Sequence, residues 1–217
     1  MFGVRLLKLL FVLTLLAPAI VHADDAPPLG RAGMDDELLR YYGQERTTAI
    51  IATSVGIAAA GAGGYLVTRH TDFDRGLGIP LLSLGALEGI GAIFYVFQVN
   101  SEVDHYRALL ASDPTSFRST ELTHLHGTTS RFTYYRAAEL ALTVAGIGFG
   151  TYGFIADKET FKGLGIGLAA LGAPLLVIDT FNNASAGRYI ENLERFQPSL
   201  AVGRTRDGWM LALSTNF

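Results

Sequence analysis

The 217-residue chain has no cysteine, which excludes a disulfide-stapled scaffold and any thiolate-bound zinc or iron–sulfur centre. Charge is also scarce. Asp, Glu, Lys and Arg make up 17% of the residues, against roughly 25% in soluble domains. With a formal net charge of −3 and no basic block, nothing favours binding to nucleic acid. HExxH, the phosphate-binding P-loop, the dinucleotide fingerprint and a Ser/His/Asp order are all missing. No cofactor and no enzymatic activity are therefore expected. What the chain has in abundance is 25 glycines and 49% hydrophobic residues, with a mean hydropathy of +0.30. That balance is the signature of a membrane protein whose helices touch through glycine.

The first 23 residues read as a secretory signal. Arg5 and Lys8 supply the positive start, Leu9 to Leu16 the apolar run, and Val21-His22-Ala23 a small-x-small cleavage site. Four long apolar stretches follow at 47–68, 76–97, 137–156 and 163–181. Each is close to the ~20 residues that cross a ~30 Å hydrocarbon core as a helix. Strands of an outer-membrane barrel alternate in and out, and these runs do not. With residue 24 outside, loops 69–75 and 157–162 face the cytoplasm and carry Arg69, Arg75, Lys158 and Lys162. Their basic density exceeds that of the longer exported segments, in keeping with the positive-inside rule. The expected location is the bacterial inner membrane, multi-pass, with both mature termini on the extracytoplasmic side.

Shifting the chain by 87 residues lays Arg75-Gly76-Leu77-Gly78-Ile79 over Lys162-Gly163-Leu164-Gly165-Ile166, and Leu84-Gly85-Ala86 over Leu171-Gly172-Ala173. Gly61, Gly63 and Tyr65 fall on Gly148, Gly150 and Tyr152. The expected fold class is an all-α membrane protein: four transmembrane helices as a tandem duplicated hairpin, with a small C-terminal β-hairpin. Its parts are a signal over 1–23, an exported segment over 24–46 and a first hairpin with helical stalk over 47–114. An exported loop over 115–132, a second hairpin with stalk over 133–198 and the β-hairpin over 199–217 complete it.

Small residues allow close backbone approach where lipid removes the hydrophobic drive between helices. Ala52, Gly56, Ala60 and Gly64 form a four-residue-spaced ridge in the first span. Gly85 and Gly89 in the second, Gly146 and Gly150 in the third, and Gly165, Ala169 and Ala173 in the fourth do the same. These ridges are expected to pack within one bundle, homo-oligomerisation being the alternative. Pro174 is expected to kink the fourth span or free a carbonyl.

Glu88 sits mid-span, where a charged carboxylate costs about 2.5–3.5 kcal/mol on insertion scales. A protonated Glu88 donating to Thr53, Ser54 or Thr143 is one expectation, and a proton or cation pathway the other. Arg136 and Glu139, three apart, are expected to pair on one helix face, with Asp179 near the outer end of the fourth span. His124-Leu125-His126 would put both rings on one side of a strand, but an exposed polar loop is the favoured reading, with no metal bound.

Ser199 to Phe217 change character. Asp207-Gly208 is a hairpin-turn signal, and Trp209, Leu211, Leu213, Thr215 and Phe217 share one strand face. Arg206-x-Gly208-x-x-Leu211-x-Leu213 with the last Phe resembles the closing strand of bacterial outer-membrane barrels. The resemblance covers one hairpin, whereas a barrel needs at least eight strands. Ile190, Leu193 and Phe196 are expected to receive the hairpin. The functional expectation is a structural or partner-binding envelope protein acting through the exported loop and terminal hairpin, with lipid and an envelope protein as its contacts. A small proton or cation channel centred on Glu88 is the alternative.

Overall fold

The computed structural model describes residues 28–198, 200–205 and 208–213, with side chains through residue 198. The signal expected over 1–23 lies outside the described residues, as do the side chains of the terminal hairpin.

Four helices account for nearly all of it: α1 (Arg31–Val67), α2 (Asp72–Ser112), α3 (Pro114–Ile155) and α4 (Glu159–Arg195). All four are long and apolar enough to cross a membrane, so the chain is a multi-pass α-helical membrane protein. At 37 to 42 residues each helix is about 55–63 Å long at 1.5 Å per residue, roughly twice the hydrocarbon thickness. About half of each helix therefore stands outside the hydrocarbon: the first half of α1 and α3 and the second half of α2 and α4.

Local chemistry sets the ends. The Thr71 hydroxyl accepts from the Asp74 amide at 3.1 Å to start α2, with Asp72 and Asp74 at the positive end of the helix dipole. Asp113 accepts from the Thr115 and Ser116 amides, and Pro114 fills the first position of α3. Asp157, at φ 51°, ends α3 in the left-handed region. Lys162 then closes that turn on Asp157 and Glu159, both at 2.6 Å. α4 runs on through Pro174.

The segment 115–132 is helix, which corrects the expectation of a loop. Its many Ser, Thr and His residues are weak helix formers, but Phe117, Glu121, Leu125 and Phe132 line one face and are buried. Tertiary packing of that face outweighs propensity. Likewise 31–46 is the first part of α1, burying Met34, Leu38, Tyr41 and Tyr42.

α1 packs along α2, α3 along α4, and the two hairpins meet through α2 and α4, leaving α1 and α3 at the far corners of a rhombus. Two kinds of packing divide the bundle along its length. In the membrane half, glycine lets backbones touch. A Cβ on Gly56 would come within 2.5 Å of the Gly89 amide, one on Gly85 within 2.8 Å of the Ala60 amide, and one on Gly146 within 2.6 Å of the Ala169 amide. Gly165 is closed against Gly150 and Gly63 against Leu82. Gly76 abuts the Thr160 carbonyl and Gly163 the Phe73 carbonyl, and both the glycines and their partners stand 87 positions apart. Gly64 is looser, its Cβ direction meeting only Leu82 Cδ1 at 3.9 Å. The contact line passes through Gly63 because steps of four overshoot a 3.6-residue turn by about 40° each. Outside this seam, Ile51, Leu87, Phe94, Phe97, Val144 and Phe154 face outward as a lipid-facing girdle, with Tyr65 and Tyr152 exposed at its edge nearest the α1–α2 and α3–α4 turns and Tyr134 and Tyr135 at the opposite edge.

In the outer half, large side chains fill the core: Met34, Leu38, Tyr42, Val99, Tyr106, Phe117, Leu125, Tyr189, Leu193 and Phe196. Leu193 and Phe196 belong to this core, Phe196 lying edge-on to Phe117 at 6.0 Å, with Ile190 partly buried against it. Arg31 donates to the Ala111 carbonyl at 3.5 Å, and Arg118 to the Leu193 and Glu194 carbonyls at 2.9 Å, so each arginine covers the last turn of a neighbouring helix. Leu29 pairs with the chain around Phe196, tying the start of α1 to the end of α4. Beyond α4, β1 (Leu200–Thr205) and β2 (Gly208–Leu213) are antiparallel, with Leu200 opposite Leu213 and Thr205 opposite Gly208.

Candidate functional site

Acidic side chains inside the bundle form two groups, one in the membrane and one above it. In the membrane, Glu88 from α2, Glu139 from α3 and Asp179 from α4 converge: Asp179 lies in electrostatic reach of Glu88, and Glu139 and Asp179 are within hydrogen-bonding reach of each other. Two carboxyls that close can be bridged only by a proton or a cation. Arg136 is exposed one turn further out, within electrostatic reach of both Glu139 and Asp179, though no contact within 4 Å joins it to Glu139 among the described residues. The expected partners of Glu88 are also otherwise engaged. Thr53, Ser54 and Thr143 each donate to the carbonyl four residues back on their own helix, those of Ala49, Ile50 and Glu139.

The second group lies in the outer core. Glu121 on α3 is fully buried, and its Oε1 accepts from the Tyr42 hydroxyl of α1 at 2.8 Å. Tyr106 of α2 and Tyr189 of α4 face the same carboxyl. Its Oε2 and the Tyr189 hydroxyl have no hydrogen-bond partner among the described residues. Burial, reinforced by Glu102, pushes Glu121 up to about 7, against the opposing effect of the three tyrosine hydroxyls. Burial and the neighbouring carboxylates also push the hydroxyls of Tyr42, Tyr106 and Tyr189 upward, so they remain protonated donors.

One turn nearer the membrane, Glu45 accepts from Tyr41 at 2.5 Å and from Tyr95 at 2.9 Å. Burial raises its pKa and the two tyrosines oppose that. Tyr41 stacks on Tyr189 with ring centroids 4.5 Å apart, and Tyr95 in turn lies within reach of Asp179. Tyrosines thus link the two acidic groups. His124 stands 3.8 Å from Glu102, while His126 is exposed on the other side of buried Leu125. A helix turns successive residues 100° apart, so the strand-like pairing of the two rings does not arise. No group of three metal-ligating residues occurs among the described residues.

Glu45 and Glu121 escape notice in sequence because each sits in a polar stretch that reads as solvated surface. A signal did exist. At a shift of 87, Glu45, Glu88, Glu121, Glu139 and Asp179 fall on Phe132, Leu175, Met34, Ala52 and Ala92, so each interior acid faces an apolar counterpart. Met34, Ala52, Ala92 and Phe132 are themselves buried.

No family model, curated protein or solved structure matches this chain. What the fold defines is the class: a four-helix, multi-pass membrane protein with half of its length outside the hydrocarbon.

Proposed function

We propose that this is a non-enzymatic protein of the bacterial cell envelope, exported by its first 23 residues into the inner membrane with both mature termini extracytoplasmic. In this reading the outer half of the bundle is a pedestal built from a duplicated helical hairpin, and the chain beyond α4 is the partner-binding element it carries. The observation that supports it most is continuity: all four helices pass without a break from the lipid-facing girdle into a tightly packed outer core, a build suited to holding something at a fixed height. The contacts this implies are lipid and an envelope protein, with a second copy as the other candidate.

Deleting 199–217 tests it. Cross-linking in intact cells should lose its protein adduct while the truncated chain still inserts and folds; retention of the adduct removes the hairpin from the interface. Topology is checked with single cysteines at Thr71 and Thr205, which meet no native thiol background. A membrane-impermeant reagent should reach 205 from the periplasmic side and 71 only in inverted vesicles.

A second reading, a proton or cation channel centred on Glu88, is favoured by the convergence of Glu88, Glu139 and Asp179. Against it stands the inner half of the bundle, where Gly63, Gly76, Gly163 and Gly165 bring the backbones of neighbouring helices into contact. Flux into vesicles that disappears in Glu88→Gln would support the channel; flux no greater than in empty vesicles would end it.

A further inference from the structure

The hydrogen bond between Tyr42 and Glu121 crosses the long diagonal of the bundle. It joins α1 to α3, the two corner helices, and passes between Tyr106 of α2 and Tyr189 of α4. It therefore ties one hairpin to the other at the end of the molecule remote from the Gly76–Thr160 and Gly163–Phe73 crossing. We propose that Glu121 is a proton-operated clamp: with a proton bound it holds the outer halves of the two hairpins together, and on ionising it lets them part about the glycine crossing at the inner end.

The surroundings of the carboxyl carry the argument. From α1 it meets Tyr42, with Tyr41 and Glu45 beyond; from α2, Tyr106 and Glu102; from α4, Tyr189; on its own helix His124 lies one turn away, beside Glu102, and Arg118 one turn the other way, its guanidinium held by the Leu193 and Glu194 carbonyls. The three tyrosines are hydroxyl donors, and the near carboxylate, Glu102, repels an anion. A protonated Glu121 keeps Oε1 as acceptor for Tyr42 and gains a donor at Oε2, the atom that otherwise has no partner. The ionised form is a carboxylate at 0% exposure with no guanidinium or ammonium against it, and such a charge must either recruit water or separate the elements that bury it. The near-neutral titration of the group places the change within the range an extracytoplasmic compartment meets.

The test is a distance measurement in nanodiscs. Asp36 on α1 and Thr123 on α3, both exposed, are replaced by spin-labelled cysteine for pulsed electron resonance at pH 5.5 and 8.5. A second pair at Asp72 and Glu159, also exposed, reports the inner end. The outer pair should give one narrow distribution at acid pH and a longer, broader one at alkaline pH, while the inner pair stays unchanged. Glu121→Gln, which cannot ionise, should keep the narrow distribution at both values. Where the glutamine variant does not insert, Glu121→Met, carrying the residue found at the matching position Met34, serves the same purpose. An outer distance in the wild type that ignores pH overturns the clamp, as does a pH response that survives in either variant.

Discussion

The inner and outer halves of these four helices solve the same packing problem with opposite means. Inside the membrane the helices touch backbone to backbone, through glycines that admit no Cβ, and the large residues point outward into lipid. Above the membrane the large residues turn inward, and tyrosines and leucines separate the helices. The change of solvent explains the inversion: lipid provides no hydrophobic drive between helices, so close contact and dispersion must replace it, whereas water drives aromatic burial directly. The outer half pays for its bulky core in another way, by enclosing Glu45 and Glu121 among tyrosine hydroxyls.

Glycine substitutions should break the comparison most sharply. Gly76→Val or Gly163→Val drives a side chain into a carbonyl of the facing helix and should cost more than about 3 kcal/mol or prevent folding, since the obstacle is backbone and cannot yield. Gly61→Val or Gly148→Val, on the neighbouring helices α1 and α3 and with open space at the Cβ, should leave thermal stability within about 1 kcal/mol of the wild type. Equal losses in both sets would mean that glycine matters here for something other than contact.

The outer half should respond to pH where the inner seam does not. Glu121 is raised from its ordinary 4.5 to about 7, so the folded state binds the proton more tightly than the unfolded one. Its contribution is complete below pH 4.5 and is lost progressively as pH rises to 7, a change on the order of 3 kcal/mol at 1.36 kcal/mol per unit. Melting of the purified chain in neutral detergent should therefore fall over that window, and Glu121→Gln should flatten the profile.

Smaller effects come from single polar contacts. Tyr42→Phe leaves Glu121 Oε1 without its donor and should cost about 1–3 kcal/mol. Arg118→Ala removes two bonds to the last turn of α4 and should cost about 1 kcal/mol, seen as a lower melting temperature. Arg107→Ala breaks the exposed pair with Asp35 and should leave the melting temperature unchanged.

The sequence discloses these halves unequally. The spans were legible because twenty consecutive apolar residues leave a helix few alternatives to a bilayer, and the Gly-Leu-Gly-Ile blocks at 76–79 and 163–166 pointed at the tight crossing. Of the outer segments, the stalks that continue α2 to Ser112 and α4 to Arg195 were expected as helix, whereas 31–46 and 114–132 were not. In 114–132 the buried face is only Phe117, Glu121, Leu125 and Phe132, one of them an acid, set among threonines, serines and histidines. A pattern that sparse becomes a helix only once α1, α2 and α4 cover it. The candidate site was half legible: Glu88 and Glu139 stood out as acids within apolar runs, while Asp179 as their common neighbour, and Tyr42 as the partner of Glu121 from 79 positions away, belong to tertiary structure alone.

Residue-resolved amide hydrogen exchange in nanodiscs at pH 6 and 8.5, corrected for intrinsic rates, tests the central claim of two differently bonded halves. Protection around 38–45, 99–106, 117–125 and 186–193 should weaken at the higher pH, while that around 56–63, 76–85, 146–153 and 163–172 stays constant. A uniform response along all four helices, or one confined to the glycine-packed segments, would contradict the account.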